Sequence, residues 1–167
     1  MSAPRLTPLA AAALHVGSPE RILQVECGEG EGALFLAREF PTARVRGVDR
    51  SEKAIRMASA KVGLDPEGRI AFKVGAPRRL PYPADHFDLV ALVDAYPRVG
   101  EVARVVRPGG YLVIARTRQR QLYAGPRGWL LRRLLLWRGF EPVWTEAAGD
   151  GGFAVARLRG PAGAAAI

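Results

Sequence analysis

The spacing of apolar positions changes several times along the chain, and each change marks an element. Arg21 to Glu26 carries a short apolar run that predicts a first strand. Gly28 to Gly32 interrupts it. Ala33, Leu36, Ala37 and Phe40 then recur at i, i+3, i+4 and i+7, the period of a helix that Pro41 ends. Arg44 to Val48 reads as the second strand. Ser51 is placed to cap a helix with Ile55, Ala58 and Val62 turned inward. Ile70 to Val74 is the third strand. Phe87 to Val93 is almost continuously apolar, as a strand covered on both faces should be. Val99 to Arg107 returns to helical spacing through Val99, Val102, Ala103 and Val106. Pro108-Gly109-Gly110 breaks it before a fifth strand, Tyr111 to Arg116. A helix over Arg127–Arg138 follows. Val143–Ala147, a turn over Gly149-Asp150-Gly151-Gly152, and Phe153–Leu158 form a closing hairpin. A small helix over Leu9–Val16 precedes all of these.

Alternating strands and helices predict an α/β fold with a mostly parallel, doubly wound sheet. The 167 residues suit one domain, placed at 1–159, with a Gly/Ala-rich tail over 160–167 read as disordered. No apolar run approaches the ~20 residues of a transmembrane segment. Arg5 and the short Leu/Ala run from Leu9 are not read as a signal peptide, because the first strand follows too soon. The one cysteine, Cys27, has no internal disulfide partner, which agrees with a cytoplasmic chain.

The formal charge of +9 is carried by 22 Arg and 3 Lys. Such an excess suits an anionic partner: RNA, an anionic metabolite or a membrane surface. It also suits the codon usage of a GC-rich genome, since Ala, Gly and Pro are abundant too. Charge alone therefore names no substrate.

The glycine turn is the first chemical signal. Val25-Glu26-Cys27-Gly28-Glu29-Gly30 follows a strand and opens a helix, where free N–H groups face a ligand that glycines allow to come close. Asp49 ends the second strand about 20 residues on, the spacing of a carboxylate that accepts ribose hydroxyls. Strand, turn, helix and acid together read as a nucleoside site. They leave the cofactor open, because Gly28-x-Gly30-x-x-Ala33 also fits a dinucleotide fingerprint.

Residues Ile22 to Arg116 resemble the class I S-adenosylmethionine-dependent methyltransferases. The resemblance rests on Cys27-Gly28-Glu29-Gly30, on Gly47-Val48-Asp49-Arg50-Ser51, on Leu80-Pro81-Tyr82 leading to Phe87-Asp88-Leu89-Val90, and on Arg107-Pro108-Gly109-Gly110. It implies a seven-stranded sheet in the order 3-2-1-4-5-7-6 with an antiparallel last strand. It implies S-adenosyl-L-methionine as cofactor, touching Glu26, Cys27, Gly28, Gly30, Asp49, Arg50, Ala76, Pro77 and Val93. The chain departs from the family's pattern at Gln24, where an acid is usual, at Glu26, where glycine is usual, and at Ala76, where an acid is common. Glu26 is expected to line the pocket and meet the cofactor's ammonium in place of the acid absent at Gln24.

For the chemistry itself, a sulfonium donor is already activated, so the protein mainly positions the acceptor and removes its proton. Asp94, just past the fourth strand, and His86, in the loop before it, are the candidate catalytic residues. Cys27 reads as a small buried side chain, and Asp88 as a structural acceptor for loop backbone beside the first strand. His15, His86 and Cys27 are too few for a zinc site, so no metal is expected. The stretch Arg116–Arg138 interleaves Arg116, Arg118, Arg120, Arg127, Arg132, Arg133 and Arg138 with Tyr123, Trp129 and Trp137. Leu130, Leu131, Leu134 and Leu135 are expected to face the sheet, leaving Trp129, Arg132, Arg133 and Leu136 outside. That face suits RNA, a membrane surface or a second protein chain, a homodimer partner included. The sequence thus reads as a methyltransferase of a small-molecule acceptor. Its alternative is a non-catalytic binding or partner subunit of the same fold.

Overall fold

A computed structural model describes residues 6–160. The tail assigned to 160–167 lies outside the described residues apart from Gly160. The elements in chain order are α1 (Thr7–Ala13), β1 (Arg21–Val25), α2 (Glu31–Glu39), β2 (Arg44–Asp49), α3 (Glu52–Ala60), β3 (Ile70–Val74), β4 (Phe87–Val93), α4 (Val99–Val105), β5 (Val106–Arg116), α5 (Gly125–Trp137), β6 (Phe140–Ala148) and β7 (Gly151–Leu158).

The seven strands form one sheet in the order β3-β2-β1-β4-β5-β7-β6. Pairings from β3 to β5 are parallel, and β7 runs antiparallel to both β5 and β6. This is the architecture and strand order expected from the sequence. β4 is buried along almost its whole length, since apolar layers cover both faces. On one face Leu9, Leu36 and Ala37 from α1 and α2 pack with Ile22, Val45 and Val113. On the other, Val99, Val102, Leu131 and Leu135 from α4 and α5 pack with Leu23, Val90 and Leu112.

Local chemistry sets several boundaries. Ser51 caps α3, its hydroxyl accepting the Ala54 N–H at 3.1 Å. α5 starts earlier than its apolar spacing suggests, because Gly125 at φ +71° turns the chain and Pro126 opens the helix. β5 also starts early, at Val106, and takes in Pro108-Gly109-Gly110. Phe87 pairs with Val106, and the register then shifts before Leu89 pairs with Tyr111. Leu130 does not face the sheet as expected: it is exposed, and Gly128, Leu131 and Leu135 form the buried stripe of α5. No helix of the described residues is long and apolar enough to cross a membrane.

Candidate functional site

The C-terminal ends of β1, β2 and β4 lie side by side, and the turns that leave them wall a crevice. The β1 turn is fixed by its backbone: Cys27 N–H donates to the Val48 carbonyl and Gly30 N–H to the Cys27 carbonyl, each at 3.0 Å. Asp49 clamps the same turn. One carboxylate oxygen accepts the Gly28 N–H at 2.9 Å, and the other accepts the Ser51 N–H at 2.8 Å. Each oxygen keeps a lone pair for another donor.

A cleft of about 430 Å³ opens over this turn, lined among others by Gln24, Glu26, Gly28, Gly32, Val93 and Asp94. A second cleft, of about 290 Å³, shares Glu26 and adds Arg50, Ala76, Pro77, Tyr96 and Arg98. Glu26 stands where the two meet. Its carboxylate pairs with Arg50 at 3.3 Å. Arg50 is largely exposed, so the pair is weak and easily exchanged. A third cleft, of about 730 Å³, shares Asp94 with the first and runs past Tyr96, Arg116, Leu122, Arg127 and Leu131 toward α5.

Backbone strain falls on the same residues. Among the described residues, three non-glycine positions have positive φ: Glu26 at +54°, Asp85 at +52° and Asp94 at +54°. Two of them line the crevice. This left-handed conformation disfavours residues with a Cβ by roughly 1–2 kcal/mol, and such residues gather at functional sites. Asp94 is held there by its surroundings. Its N–H donates to the Ala115 carbonyl at 2.9 Å, and its carboxylate accepts the Thr117 N–H at 2.8 Å and the Thr117 hydroxyl at 2.7 Å.

Most residues singled out in the sequence come together: Glu26, Cys27, Gly28, Val93 and Asp94 in one cleft, Arg50, Ala76 and Pro77 in its neighbour. Two do not. His86 lies at the opposite edge of the sheet, seven positions before Val93 on a strand rising ~3.3 Å per residue, so roughly 20 Å away. Its N–H donates to the Val105 carbonyl and its ring meets Phe87 edge-on. Desolvation holds its pKa below the ordinary histidine value, and the Arg21 and Arg46 guanidiniums add to this. It is no base for this crevice. Gly30 is required by packing: a Cβ there would meet Phe72 Cζ at 2.8 Å and Ala58 Cβ at 2.9 Å.

Residues outside the expected set also line the first cleft, Gln24, Gly32 and Thr117 among them. Gln24 is 3% exposed, and its Oε1 has no hydrogen-bond partner. Gly32 makes room for it, since a Cβ on Gly32 would meet Gln24 Nε2 at 2.5 Å. Thr117 joins from the end of β5. Gln24 was visible in the sequence as a departure from the family's acid. Thr117 carries no such signal, because only the β4–β5 register brings it to Asp94.

Cys27 is 6% exposed, and burial, followed by the charge of Asp49, pushes its thiol up to about 12. A thiol so placed is no nucleophile. We expect it to resist 5,5′-dithiobis(2-nitrobenzoic acid) at pH 8 and to react at once in urea. Fast reaction of the native protein would show that the turn opens freely.

Residues 22–110 match the family model described as a methyltransferase domain. Over 108 residues the chain is 37% identical to a fatty-acid O-methyltransferase of Mycolicibacterium smegmatis, a match covering 60% of this chain and 38% of that protein. A ubiquinone/menaquinone biosynthesis C-methyltransferase of Geobacter sulfurreducens is 33% identical over 123 residues, covering 68% of this chain and 46% of that protein. The match therefore spans less than half the length of these curated relatives. Among solved structures, a SAM-dependent methyltransferase from Aquifex aeolicus superposes with a TM-score of 0.74 at 18% identity, covering 92% of this chain and 91% of that one.

Proposed function

The chain belongs to the class I S-adenosylmethionine-dependent methyltransferase family, and on that premise we propose that it transfers a methyl group from S-adenosyl-L-methionine to an acceptor seated beside Asp94. The observation that carries this reading is the unsatisfied Gln24 Oε1, buried in the wall of the cleft that the strained Glu26 also lines. A buried polar atom without a partner costs about 1–3 kcal/mol, and a donor arriving with a ligand would relieve it once the Gln24 amide turns toward the cleft. The cofactor's ammonium is such a donor. Gln24 Oε1 and the Glu26 carboxylate would hold it, and the free lone pairs of Asp49 would accept the ribose hydroxyls. Ala76 and Pro77 would flank the base.

The bound cofactor would supply an electrophilic methyl on a sulfonium. The remaining work falls to the chain. Asp94, oriented by Thr117, would accept a proton from the acceptor or hold it in line. The third cleft would hold the acceptor. Leu122 and Leu131 suit an apolar body, and Arg116 and Arg127 suit an anionic end. A lipophilic acid fits this wall, in keeping with the relative named for fatty acids.

Calorimetric titration with S-adenosylhomocysteine tests the cofactor. Saturable one-to-one binding is expected, with no heat from NADH. Absence of binding at millimolar ligand would refute the proposal.

Glu26 gives a sharper test, because two effects oppose each other there. Glu26→Gly relieves the positive φ and should raise stability by roughly 1 kcal/mol. It also removes the carboxylate and should weaken S-adenosylhomocysteine binding several-fold. Glu26→Gln keeps the strain and should weaken binding with the fold intact. A clear gain in affinity for Glu26→Gly would mean that the side chain obstructs the pocket. The non-catalytic alternative would then be preferred.

A further inference from the structure

We propose that the outer face of α5 is a docking surface for an anionic lipid bilayer. The helix is apolar on both sides. Gly128, Leu131 and Leu135 are buried against the sheet, yet Trp129, Leu130, Leu136 and Trp137 stand 57%, 49%, 41% and 76% exposed on the remainder. Large apolar side chains left exposed together, interleaved with Arg132 and Arg133, mark an interaction surface. Trp129, Leu130, Leu134 and Trp137 enclose a shallow groove together with Arg133.

Charge identifies the cover. Between Val102 and Phe140 the sequence has no acidic residue, and Arg127, Arg132, Arg133 and Arg138 belong to or adjoin α5. The next acid along, Glu141, is engaged by Arg159 at 2.6 Å. Two of the guanidiniums lie over indole rings: Arg133 over Trp129 and Arg138 over Trp137, each at 4.8 Å from the centroid. Indoles, leucines and arginines on one surface match the interfacial layer of a membrane. There the apolar groups sink to the acyl boundary and the cations meet lipid phosphates.

Two other occupants fit less well. A second copy docked through α5 by twofold symmetry would bring the two arginine sets into one interface, and α5 itself offers no acid to pair them. RNA would seek open aromatic faces, whereas Arg133 and Arg138 already cover a face of each indole, and Leu130 and Leu136 offer a base nothing. The placement also has a consequence. Gly128 and Leu131, on the inner side of this helix, wall the cleft that reaches Asp94, so a docked α5 would hold that cleft about one helix diameter from the bilayer surface.

Flotation of the full chain with phosphatidylcholine vesicles, with and without phosphatidylglycerol, tests this. Binding is expected only to the mixed vesicles and should weaken with salt. Arg132→Gln/Arg133→Gln should lower partitioning about 25-fold, taking roughly fivefold for each cation lost. In a Trp144→Phe background the remaining indoles, Trp129 and Trp137, should shift to the blue and be quenched by brominated lipid. Equal binding to both vesicle types, or none, would overturn the proposal. So would a dimer or an RNA complex that Trp129→Ser/Trp137→Ser abolishes while vesicles are ignored. Docking is independent of the cofactor site. S-adenosylhomocysteine titration of the same variants, expected to be unchanged, separates failure of this proposal from failure of the methyltransferase reading.

Discussion

Asp88→Ala is expected to cost about 2–4 kcal/mol of unfolding free energy, the scale for leaving two backbone donors without their carboxylate acceptor. Asp88 is 6% exposed at the start of β4. One carboxylate oxygen accepts the N–H groups of Glu20 and Arg21, at 2.7 and 2.9 Å, and the other faces the Arg107 guanidinium. This side chain joins the entry of β1 to β4 and to β5, at the sheet edge opposite the crevice. Its removal strands two backbone donors and a cation. Asp88→Asn keeps an acceptor for the two N–H groups and loses the charge, so its cost should be intermediate. Arg107→Ala should cost least, because Arg107 is more than half exposed and water screens its share. Urea unfolding would rank the three. A loss under about 1 kcal/mol for Asp88→Ala would deny the carboxylate this role. Cofactor affinity should not change in any of them while the fold persists, since the site lies at the other edge.

The sequence disclosed the architecture because burial and period agree in the central strands. Phe87–Val93 is apolar throughout and is the middle strand of the sheet, with the observed bounds matching the expected ones. Asp88 was legible for the same reason, as an acid inside an apolar run that must find local donors. The edge was harder to read. β6 is exposed from Glu141 to Glu146, so no alternation marks its start, and it begins at Phe140 rather than Val143. β5 defies its own Pro-Gly-Gly, because pairing with Phe87 extends it backward. In the site, the residues of the glycine turn and of the β2 and β4 ends could be placed from strand order alone. What could not be placed were relations across the chain. Gly30 is a glycine because Phe72 lies against it, and Thr117 belongs to the site because β5 pairs with β4. His86 precedes a parallel strand and so lies at the wrong edge. The chain order contained that answer, though the residue's chemistry suggested otherwise.

Asp49→Ala should produce two losses that can be measured apart. The carboxylate holds the Gly28 and Ser51 N–H groups, and these bonds fix the turn and the start of α3. Without them, stability should fall by about 1–3 kcal/mol, the scale of hydrogen bonds to a charged group. In the proposed site the same oxygens would receive a ribose, already oriented by the two amides. S-adenosylhomocysteine affinity should therefore fall by a further ~1.5–3 kcal/mol, at least tenfold. Calorimetry in conditions where the variant remains folded isolates the second loss from the first. The adenine end supplies a control. 5′-Methylthioadenosine lacks the ammonium but keeps the ribose, so it should lose affinity in Asp49→Ala as the full ligand does and be indifferent to Glu26→Gln. If Asp49→Ala lost stability and kept its affinity for both ligands, the carboxylate would be a clamp for the turn alone. The nucleoside would then have to be held by the neighbouring cleft of Ala76, Pro77 and Tyr96.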